Sequence, residues 1–138
     1  TIFRIACLTN IVEAPTDLNK WSKFKSDSSG QFYFDSSSIQ RNGSNVRVIE
    51  VYNFTKALPL WMALIGSKRA DIDRTFQSIS YHKEFDCQKK KVRTIYEIVH
   101  SDSMASGSKL YIISDSSDTW ELIAEHNLLF DSLCKNHS

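Results

Sequence analysis

A pair of alternating segments joined by a tight-turn signal constrains the fold of this chain most strongly. Residues 31–39 read QFYFDSSSI, in which phenylalanine alternates with tyrosine and aspartate, as in a strand with one buried face. The dipeptide Asn42-Gly43 follows, and its tolerance of positive φ suits a reversal of the chain. Residues 46–54, VRVIEVYNF, then alternate again. The pattern predicts an antiparallel β-hairpin, the strongest in the sequence.

Further strand signals follow along the chain. Residues 78–86 and 90–100 are rich in β-branched and aromatic side chains, and the short stretch between them places Cys87 at the end of a strand. Residues 109–114, KLYIIS, predict another strand, and residues 1–8 alternate weakly enough for a short one. Strands therefore dominate the prediction.

Two segments depart from the strand pattern. Residues 57–75 mix an apolar stretch with a charged one and contain better helix formers than their flanks, which predicts a helical or irregular connection. Near the end, Asp118 stands three positions before Glu121, as in a capping box, and an apolar stripe follows. We expect a C-terminal helix carrying Cys134. The predicted class is α+β, a mainly antiparallel β-sheet with a C-terminal α-helix.

Composition limits the function more than it defines it. A chain of 138 residues suits one domain, here residues 1–138. Lys and Arg total 17 and Asp and Glu total 16, and this net charge of +1 gives no global field for nucleic acid. No stretch approaches the roughly 18 apolar residues of a transmembrane segment. Four scattered glycines provide no phosphate-binding loop, which argues against nucleotide chemistry.

The cysteines leave several interpretations open. Cys7, Cys87 and Cys134 allow at most one intramolecular pair with one thiol left over. A thiol at a strand end such as Cys87 could be a nucleophile, a metal ligand or half of a disulfide. The four histidines occur in no diagnostic arrangement with a thiol. We therefore predict no enzyme, no catalytic residue and no cofactor.

One strand face invites a metal hypothesis. His82, Glu84 and Asp86 share a face at period two, while Tyr81 and Phe85 point to the other face with the cysteine that follows them. The alternative is that the first face is solvated and the second packs on the core. No HExxH or paired CxxC spacing supports a metal. We adopt the solvated-face interpretation and predict no metal site.

Two stretches are candidate partner-binding surfaces. The first is a basic cluster after the strand-end cysteine, which suits a glycosaminoglycan or an acidic protein patch, or which only solvates a hairpin tip. It consists of Lys89, Lys90, Lys91 and Arg93. The second contains Leu60 and Trp61, in the apolar segment of residues 57–66. If exposed, these side chains would contact a partner; otherwise they pack over the sheet.

The order of several short motifs resembles the bacterial surface-adhesin protein E family. It comprises an early Trp, a Tyr-x-Asp-x-x-Ser-Ile stretch before a hairpin, a strand ending in Asp-Cys before a basic turn, a Trp after a polar loop, and a final Cys. The corresponding positions are Trp21, Tyr33, Asp35, Ser38, Ile39, Asp86, Cys87, Trp120 and Cys134. The resemblance covers about residues 21–134, which leaves residues 1–20 as an N-terminal extension.

This resemblance implies both a covalent link and a function. It implies a disulfide between Cys87 and Cys134, and export to the periplasm or outer-membrane surface of a Gram-negative bacterium. It also implies a non-enzymatic, adhesin-like protein that contacts host extracellular proteins such as vitronectin, laminin or plasminogen. The alternative is a periplasmic or envelope assembly protein of unknown partner, whose apolar segment docks it into a homodimer or larger complex.

Overall fold

A computed structural model describes residues 3–7, 20–63, 74–115, 119–124 and 127–135 of the chain. These residues form eight strands, a 3-10 turn and one helix. The strands are β1 (Phe3–Cys7), β2 (Trp21–Ser26), β3 (Gly30–Asn42), β4 (Asn45–Pro59), β5 (Thr75–Asp86), β6 (Lys91–Asp102), β7 (Ser106–Asp115) and β8 (Glu121–Leu122). The 3-10 turn is Leu60–Ala63, between β4 and β5, and the helix α1 is Leu128–Cys134.

The strands form one antiparallel sheet in the order β1-β7-β6-β5-β4-β3-β2, and β8 pairs with β6 outside this path. From β2 to β7, each strand pairs with the next along the chain, so this part of the sheet is a succession of hairpins. The mainly antiparallel α+β class predicted from the sequence is confirmed.

The β3–β4 hairpin forms where its sequence pattern predicted it. Asn42 pairs with Asn45 across a two-residue turn, and Gly43 has a φ of 62°, a conformation that glycine adopts without steric cost. Val46 and Val48 on β4 are each 2% exposed, so one face of this hairpin is buried as expected.

A bulge interrupts the pairing of β3 with β4. The register shifts between Asp35 and Gln40, and Ser38 bridges the gap. The Oγ of Ser38 donates to the carbonyl oxygen of Asp35 at 2.6 Å and accepts from the backbone N–H of Ile49 at 2.8 Å. The Asp-x-x-Ser part of the motif therefore holds the bulge together, which is a structural role.

The start of the sheet and the connection after β4 differ from the sequence-based expectation. Strand β2 was not predicted, because the register shift between Lys23 and Lys25 breaks its alternation. Strand β4 continues to Pro59, so only the 3-10 turn Leu60–Ala63 is helical within the predicted connection, and residues 64–73 lie outside the described residues.

The helix begins later than predicted. Asp118, the expected N-cap, lies outside the described residues, and Glu121 belongs to β8. The backbone N–H of Ile123 donates to the carbonyl of Lys90 at 3.0 Å, which ties this segment to the β5–β6 turn. The N-cap is Asn127, whose Oδ1 accepts from the N–H of Phe130 at 2.9 Å. Sheet pairing therefore overrides the local capping-box signal.

Among the described residues, buried hydrophobic side chains form two clusters, which we call cores. The helix-side core lies where α1 packs on the sheet, and it consists of Val46, Val48, Phe85, Cys87, Leu129, Leu133 and Cys134. The distal core consists of Leu60, Phe76, Val99 and Leu110, with Phe54 and other half-buried side chains around it. Within the described part of the chain, no helix is long and apolar enough to span a membrane.

Candidate partner-binding surface

A disulfide joins the β5–β6 turn to the end of α1. Cys87 and Cys134 are bonded, and their Cα atoms lie 5.5 Å apart. This is the pairing that the family resemblance implied. A second contact fixes the same end of the helix, because Nη1 of Arg41 donates to the carbonyl of Leu133 at 2.9 Å. Of the interpretations open for Cys87, the structure shows half of a disulfide.

Local hydrogen bonds shape the β5–β6 turn. Oδ1 of Asp86 accepts from the backbone N–H groups of Gln88 and Lys89, at 3.0 and 2.9 Å. The N–H of Cys87 donates to the carbonyl of Ser44 at 2.9 Å, which connects this turn to the β3–β4 turn. Lys90 closes the turn with a φ of 55°, a left-handed conformation. The backbone that carries the predicted lysines is therefore held from several sides.

These contacts gather a cluster of lysines that we call the basic tip: Lys89, Lys90, Lys91 and Lys135. Lys89, Lys90 and Lys135 are exposed and Lys91 is half-buried. Lys135 was missed by the sequence analysis, although it directly follows Cys134 and the disulfide therefore brings it to the turn. A shallow depression between turn and helix is lined by Lys90, Asp131 and Lys135 together with the disulfide.

Arg93, the fourth predicted basic residue, is engaged inside the structure. Its Nη2 and Nε lie 2.6 and 3.0 Å from Oε1 of Glu84. Its guanidinium lies 5.0 Å from the ring centroid of Trp120, and its side chain is 20% exposed. Arg93 therefore supports the base of the basic tip, and most of its side chain is shielded from solvent.

Glu84 lies in a position that the sequence analysis assigned wrongly. The prediction put it on a solvated face, but it is 6% exposed. It accepts from Asn45 Nδ2 at 2.9 Å and pairs with Arg93, and Nη2 of the more exposed Arg47 lies 3.5 Å away. An alternating sequence pattern distinguishes the two faces of a strand, but it does not indicate whether other side chains bury the more polar face as well. The core prediction for Phe85 and Cys87 is confirmed, at 1% and 9% exposure.

The partners of Glu84 keep it ionised. Burial by itself would raise the pKa of this carboxyl, but hydrogen bonds from Arg93 and Asn45 and the charges of Arg93 and Arg47 lower it below its ordinary value. A buried carboxylate with satisfied oxygens is a structural group, because its lone pairs are already used.

The other members of the proposed metal face are also separated from one another. The ring of His82 stacks on Tyr96 with centroids 4.0 Å apart, and burial followed by the charge of Lys109 lowers the pKa of His82. Asp86 is used by its own turn. Across the described ranges, no three His, Cys, Asp or Glu side chains lie close enough together to hold a metal ion.

The second predicted surface divides into one buried and one exposed residue. Leu60 is 1% exposed and belongs to the distal core, so it offers no surface to a partner in this fold. Trp61 and Met62 are 54% and 45% exposed. They follow the end of β4, where Pro59 pairs with Thr75 at the start of β5.

The two candidate surfaces lie at opposite ends of β5. This strand has 12 residues. At about 3.4 Å per residue, its ends are roughly 37 Å apart along the strand. One small partner patch therefore cannot cover both Trp61 and the basic tip, and we treat them as separate sites.

Comparison with known proteins gives one family and a set of related folds. A family model described as surface-adhesin protein E matches residues 21–135. A structure of Haemophilus influenzae protein E is similar with a TM-score of 0.58 and 13% identity, over 94% of this chain and 89% of that one. A second structure of that protein, with selenomethionine, gives 0.60 and 15%, over 92% and 96%. These low identities show a shared fold. No curated protein sequence matches the chain.

Proposed function

Because the chain belongs to the surface-adhesin protein E family, we propose that it is an exported binding protein of the Gram-negative envelope that recognises host extracellular proteins. The observation that carries the proposal is the basic tip, an exposed lysine cluster on a disulfide-linked turn. Vitronectin, laminin and plasminogen are the partners to test first. The proposed activity is binding without a catalytic step.

The construction of the basic tip supports recognition of an acidic surface. A turn that is already fixed loses little conformational freedom when it binds, which leaves more of the contact energy for affinity. The chain as a whole has a net charge of only +1, so its attraction for anions is local to such clusters. At physiological salt the Debye length is about 8 Å, and the partner must therefore bring its acidic groups close to the lysines.

The proposal is tested by removing the lysines of the turn together. The triple variant Lys89→Ala, Lys90→Ala, Lys91→Ala should elute from a heparin column at lower salt and bind more weakly to immobilised host protein. Adding Lys135→Ala should weaken binding further. A matched control removes three exposed positive charges elsewhere: Lys23→Ala, Arg47→Ala and Lys56→Ala. Equal retention of the two triple variants would show that only net charge matters, and would remove the tip from the proposal.

The exposed pair Trp61 and Met62 favours a second candidate, an envelope assembly role in which this end of the sheet contacts another protein or a second copy of the chain. Two adjacent large apolar side chains in water are a common feature of protein interfaces. The double variant Trp61→Ser, Met62→Ser should reduce the particle mass in light scattering if the native protein self-associates. The control is Leu122→Ser, whose side chain is 78% exposed on β8. A native protein that is monomeric at all concentrations would exclude the homodimer.

A further inference from the structure

A cleft opens between α1 and the sheet, on the helix-covered side of the molecule. Its volume is about 290 Å³. Phenylalanine and leucine make up half of the residues that line it: Phe24, Phe32, Phe85, Leu128 and Leu129. Phe85 and Leu129 are 1% and 2% exposed, whereas Leu128 is 53% exposed. The cleft therefore has an apolar floor from the helix-side core and an accessible apolar rim.

Three charged side chains line the same cleft: Lys25, Glu50 and Lys83. Glu50 is 4% exposed, and its Oε2 lies 2.8 Å from Nζ of Lys83. The Lys83 side chain keeps 25% exposure. Since the described lining contains two ammonium groups and one carboxylate, it carries a net charge of two minus one, or +1.

The aromatic wall holds one ammonium group at the cleft. Nζ of Lys25 lies 5.6 Å from the ring centroid of Phe32, which is within the range of a cation–π contact. An apolar wall lowers the local dielectric constant, and a charge beside it acts more strongly than it would in open water. The described lining therefore combines an apolar surface with an excess of one positive charge.

We propose that this cleft binds a small amphiphile with one anionic head and a short aliphatic tail. The head neutralises the excess charge of Lys25 and Lys83, and the tail covers the apolar surface of Phe85, Leu128 and Leu129. The volume lies at the lower end of the roughly 300–1,000 Å³ of small-molecule sites, which restricts the ligand to a short chain. The site is separate from the basic tip, and the proposal does not depend on the proposed function.

The test is a titration of the full chain with octanoate, followed by the NMR shifts of its backbone amides. Octylammonium and 1-octanol have the same tail with a cationic or a neutral head. Octanoate should shift the amides of Phe85 and Leu129 saturably and should bind more tightly than either comparator. Tighter binding of octylammonium would overturn the proposal in favour of a cation held by Glu50 and the aromatic rings. No saturable shift with any of the three would overturn it entirely.

Single substitutions test whether the charged and apolar side chains of the cleft bind octanoate. Lys25→Gln should weaken octanoate binding roughly three- to fivefold, as expected for one exposed charge. Glu50→Gln removes the carboxylate of the described lining and should strengthen octanoate binding. Leu128→Ser should weaken it, whereas Leu122→Ser, a control on β8 outside the cleft, should leave it unchanged.

If Glu50→Gln does not fold, the variants at the exposed residues Lys25 and Leu128 still test whether octanoate binds in the cleft. Unchanged octanoate affinity in both Lys25→Gln and Leu128→Ser would show that the amphiphile binds elsewhere. The amide spectrum of each variant without ligand reports whether it is folded.

Discussion

The two cores of this sheet reach stability by different means. The helix-side core is covered by a helix of seven residues, far below the roughly 12–15 at which an isolated helix becomes even marginally stable. A disulfide and the hydrogen bond from Arg41 fix the end of that helix. In the distal core, large side chains pack directly, with Phe54 and Phe76 edge to face at 5.2 Å. The short helix therefore needs a covalent link to stay packed on the sheet, whereas the aromatic side chains of the distal core pack without one.

The difference also bears on function. The link that stabilises the helix-side core brings Lys135 to the lysines of the β5–β6 turn, so stability and the proposed binding surface depend on the same bond. At the distal end, the exposed Trp61 adjoins the buried Leu60 without any described covalent constraint. Mutations should affect stability and surface together at the first end and separately at the second.

The largest expected effect is loss of the disulfide. The double variant Cys87→Ala, Cys134→Ala removes a crosslink between residues 47 positions apart. The chain-entropy relation for a loop of this size gives a decrease of about 4 kcal/mol in the free energy of unfolding. Urea denaturation followed by fluorescence measures it. The native protein in reducing agent should lose a similar amount, and a loss below about 1 kcal/mol would mean that packing alone holds the helix.

A large effect is also expected at Leu60, in contrast to its neighbour Trp61. Leu60→Ala should lower the free energy of unfolding by about 3 kcal/mol, because it leaves a cavity in the distal core. Trp61→Ser should change it by less than about 0.5 kcal/mol, because the ring is 54% exposed. Thermal or urea denaturation compares the two. The opposite order would place Trp61 in the core and remove the second candidate surface.

A smaller loss is expected from Glu84→Gln, about 2 kcal/mol. Removing one partner of a buried ion pair usually costs about 3–5 kcal/mol, but the Arg93 side chain retains 20% exposure and regains water. Urea denaturation at neutral pH measures the difference. Arg47→Gln is the matched control, because the Arg47 side chain is 55% exposed and should contribute little. Equal effects of the two changes would contradict the structural role of Arg93.

The same carboxylate gives a pH dependence with a defined sign. The pKa of Glu84 is lowered in the folded protein from its ordinary 4.5, so the unfolded chain binds its proton first as the pH falls. Stability from Glu84 is therefore present above about pH 4.5 and is lost as the pH falls through the folded pKa. Burial raises the pKa of Glu97 and lowers that of His82, and both groups also contribute to the pH dependence of stability. Their contributions are the same in the native protein and in Glu84→Gln, so they cancel in the difference between the two. Below about pH 4.5, the free energy of unfolding should fall less steeply with decreasing pH in the variant than in the native protein. Parallel curves would contradict the assignment of this pH dependence to Glu84.

The smallest expected effect is the difference between the two cores in how strongly their packing depends on the disulfide. Val48 and Val99 lie in different cores, and each should cost about 2 kcal/mol when changed to alanine. In the Cys87→Ala, Cys134→Ala background, the cost of Val99→Ala should be unchanged within about 0.5 kcal/mol, whereas the cost of Val48→Ala should change by about 1 kcal/mol. Equal coupling of the two valines would show that the cores respond as one unit.

The sequence predicted the strands whose alternation is regular and missed what depends on distant contacts. The Asn42-Gly43 turn and the strands on either side of Cys87 follow from local pattern and turn chemistry. Strand β2 was not predicted because a bulge interrupts its pairing, and α1 begins later than predicted because Glu121 pairs with β6. Such pairings are set by residues far away in the chain, which a local window cannot read.

The candidate site shows the same division. The run of lysines after Cys87 could be recognised directly, but their relation to Lys135 depends on a disulfide that only the family resemblance implied. Arg93 belongs to the same run, and only the three-dimensional structure shows that Glu84 and Trp120 engage it. The net charge of a run is therefore readable from sequence, whereas the exposure of each member is not.

The fold and the basic tip both depend on the bond between Cys87 and Cys134, and mass spectrometry of a nonreduced digest tests this bond directly. The chain, purified from the periplasm of a bacterial host, should be alkylated before proteolysis so that free thiols are marked. We expect one crosslinked peptide pair containing Cys87 and Cys134, which separates into its two components after reduction. A crosslink from Cys7 to either residue, or alkylation of both Cys87 and Cys134 before reduction, would contradict the fold, the basic tip and the proposed export together.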